Sequence, residues 1–294
     1  LRPFNFILAA DGYKFNHWKE ISPQVEFKYS VIVPRKVSKH TGFVVANGIS
    51  MLASLFASVR IQEWMIDEAE RTITAQGYDF NRPGWEYICR VLDGKLPLEV
   101  FGVEEGRVVA PQTPIVGIIN THPKFAWLPN YVETFSQAMV WKMSDVSSRM
   151  RIIRKTLEQY CKQTGTDPSA VNYMLHNFGD RGADSPHEAA VLAGIAHAAV
   201  FDGSDCVRAN PYIQSLYVTN KEYTSSIEAT EHSVMCEHSD AETRDDFGAA
   251  VMAVERLLDR VESSKRGIGI PFMSVVIDTY DSHRFVGEYL GTNK

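Results

Sequence analysis

Beyond Val171, short apolar segments alternate with helical ones, and this alternation constrains the fold of the chain more than any other feature. NYMLHNF reads as a strand, a glycine-containing loop follows it, and the Ala-rich HEAAVLAGIAHAAV reads as a helix. A short VFDGSD segment leads into YTSSIEATEHSVM. Residues 245–261 then place Phe247, Val251, Val254, Leu258 and Val261 on one amphipathic stripe. PFMSVVIDTYD reads as a buried strand ending in carboxylates. Strands that alternate with helices imply a parallel sheet or a β/α barrel, because parallel neighbours need a long crossover connection.

The first half has another grammar. From Phe43 to Ala75 the pattern is helical, with Ile49, Leu52, Leu55, Phe56 and Val59 at spacings of three and four. LPLEVFGVE, GRVVAP and PIVGIIN are Val- and Ile-rich segments separated by Gly or Pro, which predicts short strands. A second helix is expected from about Tyr131 to Gln163, with Trp141, Met143 and Ile152 among its apolar residues. The chain therefore divides into an α+β domain over 1–165 and a β/α region over 166–294. A closed β/α barrel typically takes about 250 residues, roughly twice what remains. Unfinished parallel sheets expose strand edges and half-covered apolar faces. A partner polypeptide is the expected remedy.

Composition limits the function classes. Of the 294 residues 45% are hydrophobic and 22% charged, ordinary for a globular protein, and the net charge of −6 opposes a nucleic-acid partner. No apolar run reaches the ~20 residues of a membrane helix. The opening LRPFNFILAADGYKFNHW has neither a basic leader region nor a small-residue cleavage site. Cys89, Cys161, Cys206 and Cys236 are dispersed without a CxxC pair. A soluble, reduced, cytoplasmic protein without a structural metal is expected.

Five segments carry groups that chemistry can use. In His176-Asn177-Phe178-Gly179-Asp180-Arg181-Gly182, two glycines permit close backbone approach, Arg181 suits a phosphate and Phe178 offers a stacking face. The spacing fits equally a plain turn whose Arg makes a local ion pair. Asp205, in FDGSD, can accept from an amide or sugar, or simply cap a turn. Glu231-His232-Ser233 places a carboxylate beside a His usable for acid–base work or phosphate acceptance, although a solvated His is commoner. His238 follows His232 by six residues, which does not build a helical zinc pair. Ser274, Asp278 and Asp281 lie toward the C-terminal end of a predicted parallel strand, where β/α enzymes place their sites. Asp11-Gly12-Tyr13-Lys14 by itself is a turn.

In this order the segments resemble the nicotinamide phosphoribosyltransferase family of type II phosphoribosyltransferases, over essentially the whole chain. FNFILAADGYKFNHW is similar to the family's D-x-Y-K-x-x-H start, and YSVIVPRK to its Y-S-x-x-x-x-R segment. LPLEVFGVEEGRVVAP resembles the family's hairpin region, and HNFGDRG its H-D-F-G-x-R-G loop. FDGSD resembles F-x-G-T-D, TEHSV resembles A-E-H-S, and SVVIDTYD resembles S-V-V-S-D-S-Y-D. The fold class implied is α/β: an N-terminal α+β domain followed by an incomplete β/α barrel of the type II phosphoribosyltransferase kind.

The resemblance implies a reaction joining nicotinamide to phosphoribosyl pyrophosphate, giving nicotinamide mononucleotide and pyrophosphate in cytoplasmic NAD salvage. It implies that Phe178 stacks on the pyridine ring while Tyr13, with Asp11 nearby, covers the other face from the second subunit of a homodimer. Asp205 would accept from the carboxamide, Ser274 would contact the same end of the ring, and Arg181 and Arg35 would hold phosphate and pyrophosphate. His232 would accept phosphate from ATP, an activator, and Asp278 and Asp281 would lie near ribose and Mg²⁺-bound pyrophosphate. Three departures stand out. Asn177 and Asp180 replace the usual loop residues, Glu228 replaces a small residue, and the stretch 181–188 is one residue longer. A carboxylate beside Arg181 is expected to weaken phosphate binding. The R-P-D-S-G strand, G-D-G turn and glycine-rich phosphate loop of the family are not among these residues, which makes one half of a split enzyme the leading expectation. The alternatives are a non-catalytic nicotinamide-binding or regulatory homologue, and a nicotinate phosphoribosyltransferase.

Overall fold

The computed structural model describes residues 3–37, 41–183, 185, 188–240, 242, 244–263 and 273–291. Part of the stretch 181–188, and the Val261 side chain, lie outside the described residues. The chain clusters into two compact units, Leu1–Ser225 and Ser226–Lys294. The change of pattern at 165 instead marks the end of a helix, where Gly165 adopts a left-handed φ of 71° as C-cap.

In the first unit, helix α1 (His17–Glu20) follows the opening 3₁₀ turns. Strands β1 (Tyr29–Ile32), β3 (Leu98–Gly102) and β5 (Val116–Asn120) form an antiparallel sheet in the order β1-β5-β3. Central β5 buries Val116 and Ile118. On its other face Tyr29 and Phe101 stack over Gly117 with centroids 5.4 Å apart. A Cβ at Gly117 would lie 2.6 Å from the Tyr29 ring and 2.7 Å from Phe101, so the aromatic pair needs glycine beneath it. A second ladder joins β2 (Val44–Val45) to β4 (Val108–Val109).

The helical stretch expected over 43–75 is a strand and two helices. The β-branched pair Val44-Val45 joins the ladder, and α2 (Ile49–Ser58) and α3 (Glu63–Ala75) follow with a break at 59–62. The spacing reading holds within α2, where Ile49, Leu52 and Phe56 are buried; in α3, Ile66, Ala69 and Ile73 form the matching stripe. Helix α4 (Arg82–Arg90) starts on the Asn81 side chain, which accepts from the Gly84 amide at 3.1 Å. After α5 (Leu128–Tyr131) comes α6 (Glu133–Thr164), which confirms the long helix expected there. Its buried face is built of serines as much as of apolar residues, and Trp141 points outward. Ser148 accepts from Val45 N at 2.8 Å, and Ser144 from Asn47 N at 3.1 Å. Small hydroxyls thus let the backbone of residues 45–47 approach the helix while satisfying its amides.

After α6 the expected strand NYMLHNF is largely irregular: Asn172 and Tyr173 end a 3₁₀ turn (Pro168–Tyr173), and among the described residues its ladder contribution is a single parallel bridge, Asn177 to Ser204. A further parallel bridge joins Gly203 to Ser225. Helix α7 (Glu188–Ala198) packs on α6, and α8 (Ala209–Tyr217) follows. In the second unit β6 (Glu228–Ala229) pairs in parallel with β7 (Met273–Ser274), with α9 (His232–His238) and α10 (Phe247–Ser263) between them and the short α11 (Ser282–Arg284) after. The connections are therefore of the β-helix-β kind, but among the described residues no β/α barrel is present: its predicted strands appear as isolated bridges and one two-residue ladder.

The predicted buried strand at 273–281 is corrected as well, because Val275, Val276 and Ile277 are only half-buried and Asp278 is exposed. On α10 the roles of the faces are exchanged. Ala249 and Ala250 are buried beside Met235 and Phe285 and Ala253 is buried too, whereas Phe247, Val251, Val254 and Leu258 are 39–49% exposed. Alanines allow the closer approach to Phe285; of the larger stripe, Phe247 stacks on Tyr289 with centroids 4.3 Å apart, and Val251, Val254 and Leu258 stay partly exposed.

Candidate functional site

The backbone brings the HNFGDRG loop and the FDGSD segment side by side. Asn177 N donates to Gly203 O at 3.1 Å, and Asp205 N donates to Asn177 O at 2.9 Å. Asn177 also organises the loop through its side chain. Its Oδ1 accepts from Gly179 N at 2.9 Å, and its Nδ2 donates to Ser204 Oγ at 3.2 Å. The donor half of that pairing explains an amide rather than a carboxylate at this position. Beneath the segment His197 is 4% exposed and its Nε2 lies 2.9 Å from Gly203 O; burial pushes its pKa down, so the ring stays neutral.

This backbone frame juxtaposes two of the predicted groups, Asp205 and Phe178, on either side of His176. The His176 Nε2 lies 3.1 Å from Asp205 Oδ1, and the His176 and Phe178 rings are 4.5 Å apart at 42°. Phe178 is 65% exposed, an open aromatic face with a carboxylate close by in the next loop. Arg181 is exposed and makes no ion pair among the described residues. Asp180, the carboxylate expected to act on Arg181, has partners of its own. Asp180 pairs with Arg208 at 3.0 Å, and the Cys206 thiol first, then Arg208, hold its pKa below the usual carboxylate range. The same burial and carboxylate push the Cys206 thiol up to about 11, which makes it inert at neutral pH.

The N-terminal candidates lie elsewhere in the first unit. Asp11 accepts from Thr134 Oγ1 at 2.6 Å, and Tyr13 is exposed with its ring edge-on to His17. Lys14 is buried and donates to Asn130 O at 2.9 Å and to Glu133, so it anchors the turn. Arg35 is exposed and lines, with Asp11, Lys36, Trp141 and Arg149, a groove of about 1130 Å³ along α6. Among the described residues no hydrogen bond or ring contact joins Tyr13 or Arg35 to Phe178, Arg181 or Asp205.

In the second unit His232 Nε2 lies 3.0 Å from Asp278 Oδ1, and both side chains are exposed. Asp281 caps α11 by accepting from Arg284 N at 2.9 Å. Ser274 lies in β7, its carbonyl accepting from Thr230 N at 3.0 Å. The loop bearing Asp278 is held by Asp246, 3% exposed, which accepts from Thr279 N at 3.0 Å and Ser239 Oγ at 2.8 Å. Asp246, His176 and Arg208 are contributors that the sequence reading passed over. His176 was signalled only by its place two residues before Phe178, and Arg208 and Asp246 carried no local signal because their partners are distant in sequence.

An open aromatic face with an adjacent carboxylate suits a flat ring bearing a hydrogen-bond donor, and Arg181 suits an anion. Residues 5–100 match the family profile described as "Nicotinamide phosphoribosyltransferase, N-terminal domain". The chain is 28% identical over 303 residues to a nicotinamide phosphoribosyltransferase of Acinetobacter baylyi, covering 98% of this chain and 57% of the relative. It is 30% identical over 292 residues to one of Xanthomonas campestris, covering 98% and 58%. In structure it resembles human nicotinic acid phosphoribosyltransferase with a TM-score of 0.54 at 16% identity, over 81% of this chain and 43% of that one, a likeness of fold alone. The chain thus spans a little under 60% of the length of these two curated relatives. None of its described helices is long and apolar enough to cross a membrane.

Proposed function

We propose that this chain, which belongs to the nicotinamide phosphoribosyltransferase family, supplies the nicotinamide-binding part of an enzyme of cytoplasmic NAD salvage. The reaction joins nicotinamide and phosphoribosyl pyrophosphate into nicotinamide mononucleotide and pyrophosphate. The observation that carries the reading is the placement of Asp205 beside the open Phe178 ring, with His176 touching both. A pyridine ring would stack on Phe178, and its carboxamide NH₂ would donate to Asp205. Nicotinate would instead set its carboxylate against the Asp205 charge.

The chemistry is displacement at the anomeric carbon. The bond to pyrophosphate breaks as the pyridine nitrogen attacks, and positive charge develops on the ribose. The chain contributes orientation and fixed charge, with Arg181 and Arg35 on the anionic groups. Mg²⁺ enters as the counter-ion of phosphoribosyl pyrophosphate, part of the substrate. The described residues gather no cluster of three or more ligands that could hold an ion of their own. Ser274 contacts the ring amide in this reading, while Asp278 and Asp281 lie toward ribose and pyrophosphate. His232, held on Asp278 through one nitrogen, accepts phosphate from ATP on the other. Asp11, Tyr13 and Arg35 serve the site of a second copy in a homodimer.

The segments for ribose and 5′-phosphate come from a second polypeptide, as in a split enzyme. The relatives' additional length supports a further layer of structure, and so do the partly exposed Val251, Val254 and Leu258 of α10. A native mass spectrum of purified material should show this 33.1 kDa chain with a second mass in equal amount. In that complex Asp205→Ala should lower nicotinamide mononucleotide synthesis at least tenfold. Turnover by the isolated chain would refute the split. Unaltered turnover in Asp205→Ala, or a preference for nicotinate, would refute the assignment of the site.

A further inference from the structure

We propose that Asp180 is a positioning residue for the Phe178 ring: it anchors the 3₁₀ turn after Phe178 to the segment that carries Asp205, and so holds the stacking face in place before a ring arrives. The inference rests on the nicotinamide reading of this site for its ligand and adds the device that makes the face ready.

The segment 203–208 is a firm support. Ser204 is 1% exposed, its N–H donates to Ser225 O at 3.0 Å, and its hydroxyl accepts from Cys206 N at 3.0 Å. The Cys206 side chain is wedged against α7 where Gly194 leaves room for it. A Cβ built at Gly194 would lie 2.7 Å from the Cys206 Sγ. Arg208 then stands at the start of α8 as its N-cap. Burial and backbone pairing thus fix this segment independently of the loop that lies on it.

The loop that carries Phe178 meets this support at two points three positions apart. The first is Asn177, whose N–H donates to Gly203 O and whose Nδ2 donates to Ser204 Oγ. The second is Asp180 in the 3₁₀ turn Gly179–Gly182. Its Oδ2 accepts from Arg208 Nη2 at 3.0 Å, and its carboxylate also takes a hydrogen bond from the Cys206 thiol. Phe178 and Gly179 span the two points. The Phe178 ring is mostly exposed, so its own burial does little to hold it, and Gly179 has no Cβ to narrow its backbone freedom. A backbone left free in the empty site must be ordered by the ligand, at a cost in affinity. Anchors on both sides of Phe178 remove that cost in advance. They also fix the ring-stacking loop and the Asp205 segment to one support, so that the two parts of the ligand are met at a set spacing.

The test is amide hydrogen exchange of the 294-residue chain, read over residues 177–183, together with calorimetric titration with nicotinamide. Arg208 and Cys206 also serve the support itself, so the variants change Asp180 alone. Asp180→Ala removes the anchor, and Asp180→Asn keeps a side-chain oxygen that can accept from Arg208. In Asp180→Ala, exchange over 177–183 should rise several-fold while exchange in α6 and α7 stays as in wild type. Nicotinamide should bind about three- to tenfold more weakly, and saturating nicotinamide should restore part of the lost protection, because the ligand then orders the loop. Asp180→Asn should recover most of both losses. Wild-type exchange or wild-type affinity in Asp180→Ala, an equal loss in Asp180→Asn, or a rise in exchange that extends to α6 and α7 overturns the proposal. Should wild type bind no nicotinamide while Asp180→Ala loosens 177–183 alone and Asp180→Asn restores it, the nicotinamide reading falls and the anchor stands.

Discussion

Adding one methyl group at Gly203 tests how tightly the His176–Asp205 pair is built. Gly203 has no left-handed φ, so alanine brings no backbone strain. The new Cβ would lie 2.8 Å from His176 Nδ1, about 0.6 Å inside ordinary van der Waals contact. The Gly203 carbonyl is fixed by the Asn177 amide and lies 2.9 Å from His197 Nε2, so the imidazole is the part that must move. A shift of that size, away from the methyl, would drive Nε2 against Asp205 Oδ1, now 3.1 Å away, so the ring must turn out of the pair and the hydrogen bond is lost. The bond lost is worth ~1 kcal/mol after allowing for the partial exposure of Asp205, or about fivefold in nicotinamide affinity. Overpacking adds roughly 1–3 kcal/mol of destabilisation, on the order of 2–10 °C in Tm for a unit of this size. Titration with nicotinamide and a thermal melt measure both effects. The double variant Gly203→Ala/His176→Ala should regain the lost Tm, because it removes the obstructing ring. Unchanged affinity and Tm in Gly203→Ala would refute the close packing of His176 on Gly203.

Arg208→Met should release Asp180 toward Arg181 and weaken binding of inorganic pyrophosphate about two- to fivefold, an effect that fades at high salt and is reversed by adding Asp180→Asn. An Arg208→Met chain with wild-type pyrophosphate affinity would show that Asp180 does not reach Arg181. Asp246→Ala strands the Thr279 amide and Ser239 hydroxyl and should cost ~1–3 kcal/mol in urea unfolding, while Asp246→Asn, which can still accept, should cost less. His197 is held below its ordinary value of 6.5, so at falling pH the unfolded chain takes up this proton first; stability should be full above that value and decline below it until the folded His197 also charges. Urea midpoints from about pH 8 to about pH 5 should show this slope and lose part of it in His197→Gln; equal slopes would refute the assignment.

Local chemistry made the long helices readable. The i, i+3, i+7 stripe of α2 and the length of α6 follow from spacing, because a helix must bury one face wherever it ends up. The three Val- and Ile-rich segments between Leu98 and Asn120 became β3, β4 and β5 for an equally local reason, their Gly and Pro boundaries. The loop motifs were legible as sites of conformational freedom, and Phe178, Asp180 and Arg181 could be named in advance as neighbours in sequence.

Tertiary structure decided what each group is used for. Asp180 is paired by Arg208, 28 positions away, and Asp205 was brought beside the HNFGDRG loop only through a bridge 27 residues long in sequence. The sequence pattern on α10 pointed to Phe247, Val251, Val254 and Leu258 as the core face, yet packing against Met235 and Phe285 selected the alanines. Periodicity reports how much apolar surface a segment carries. Which of two apolar faces is covered depends on how closely a neighbour can approach, and that is a property of residues far apart in the chain.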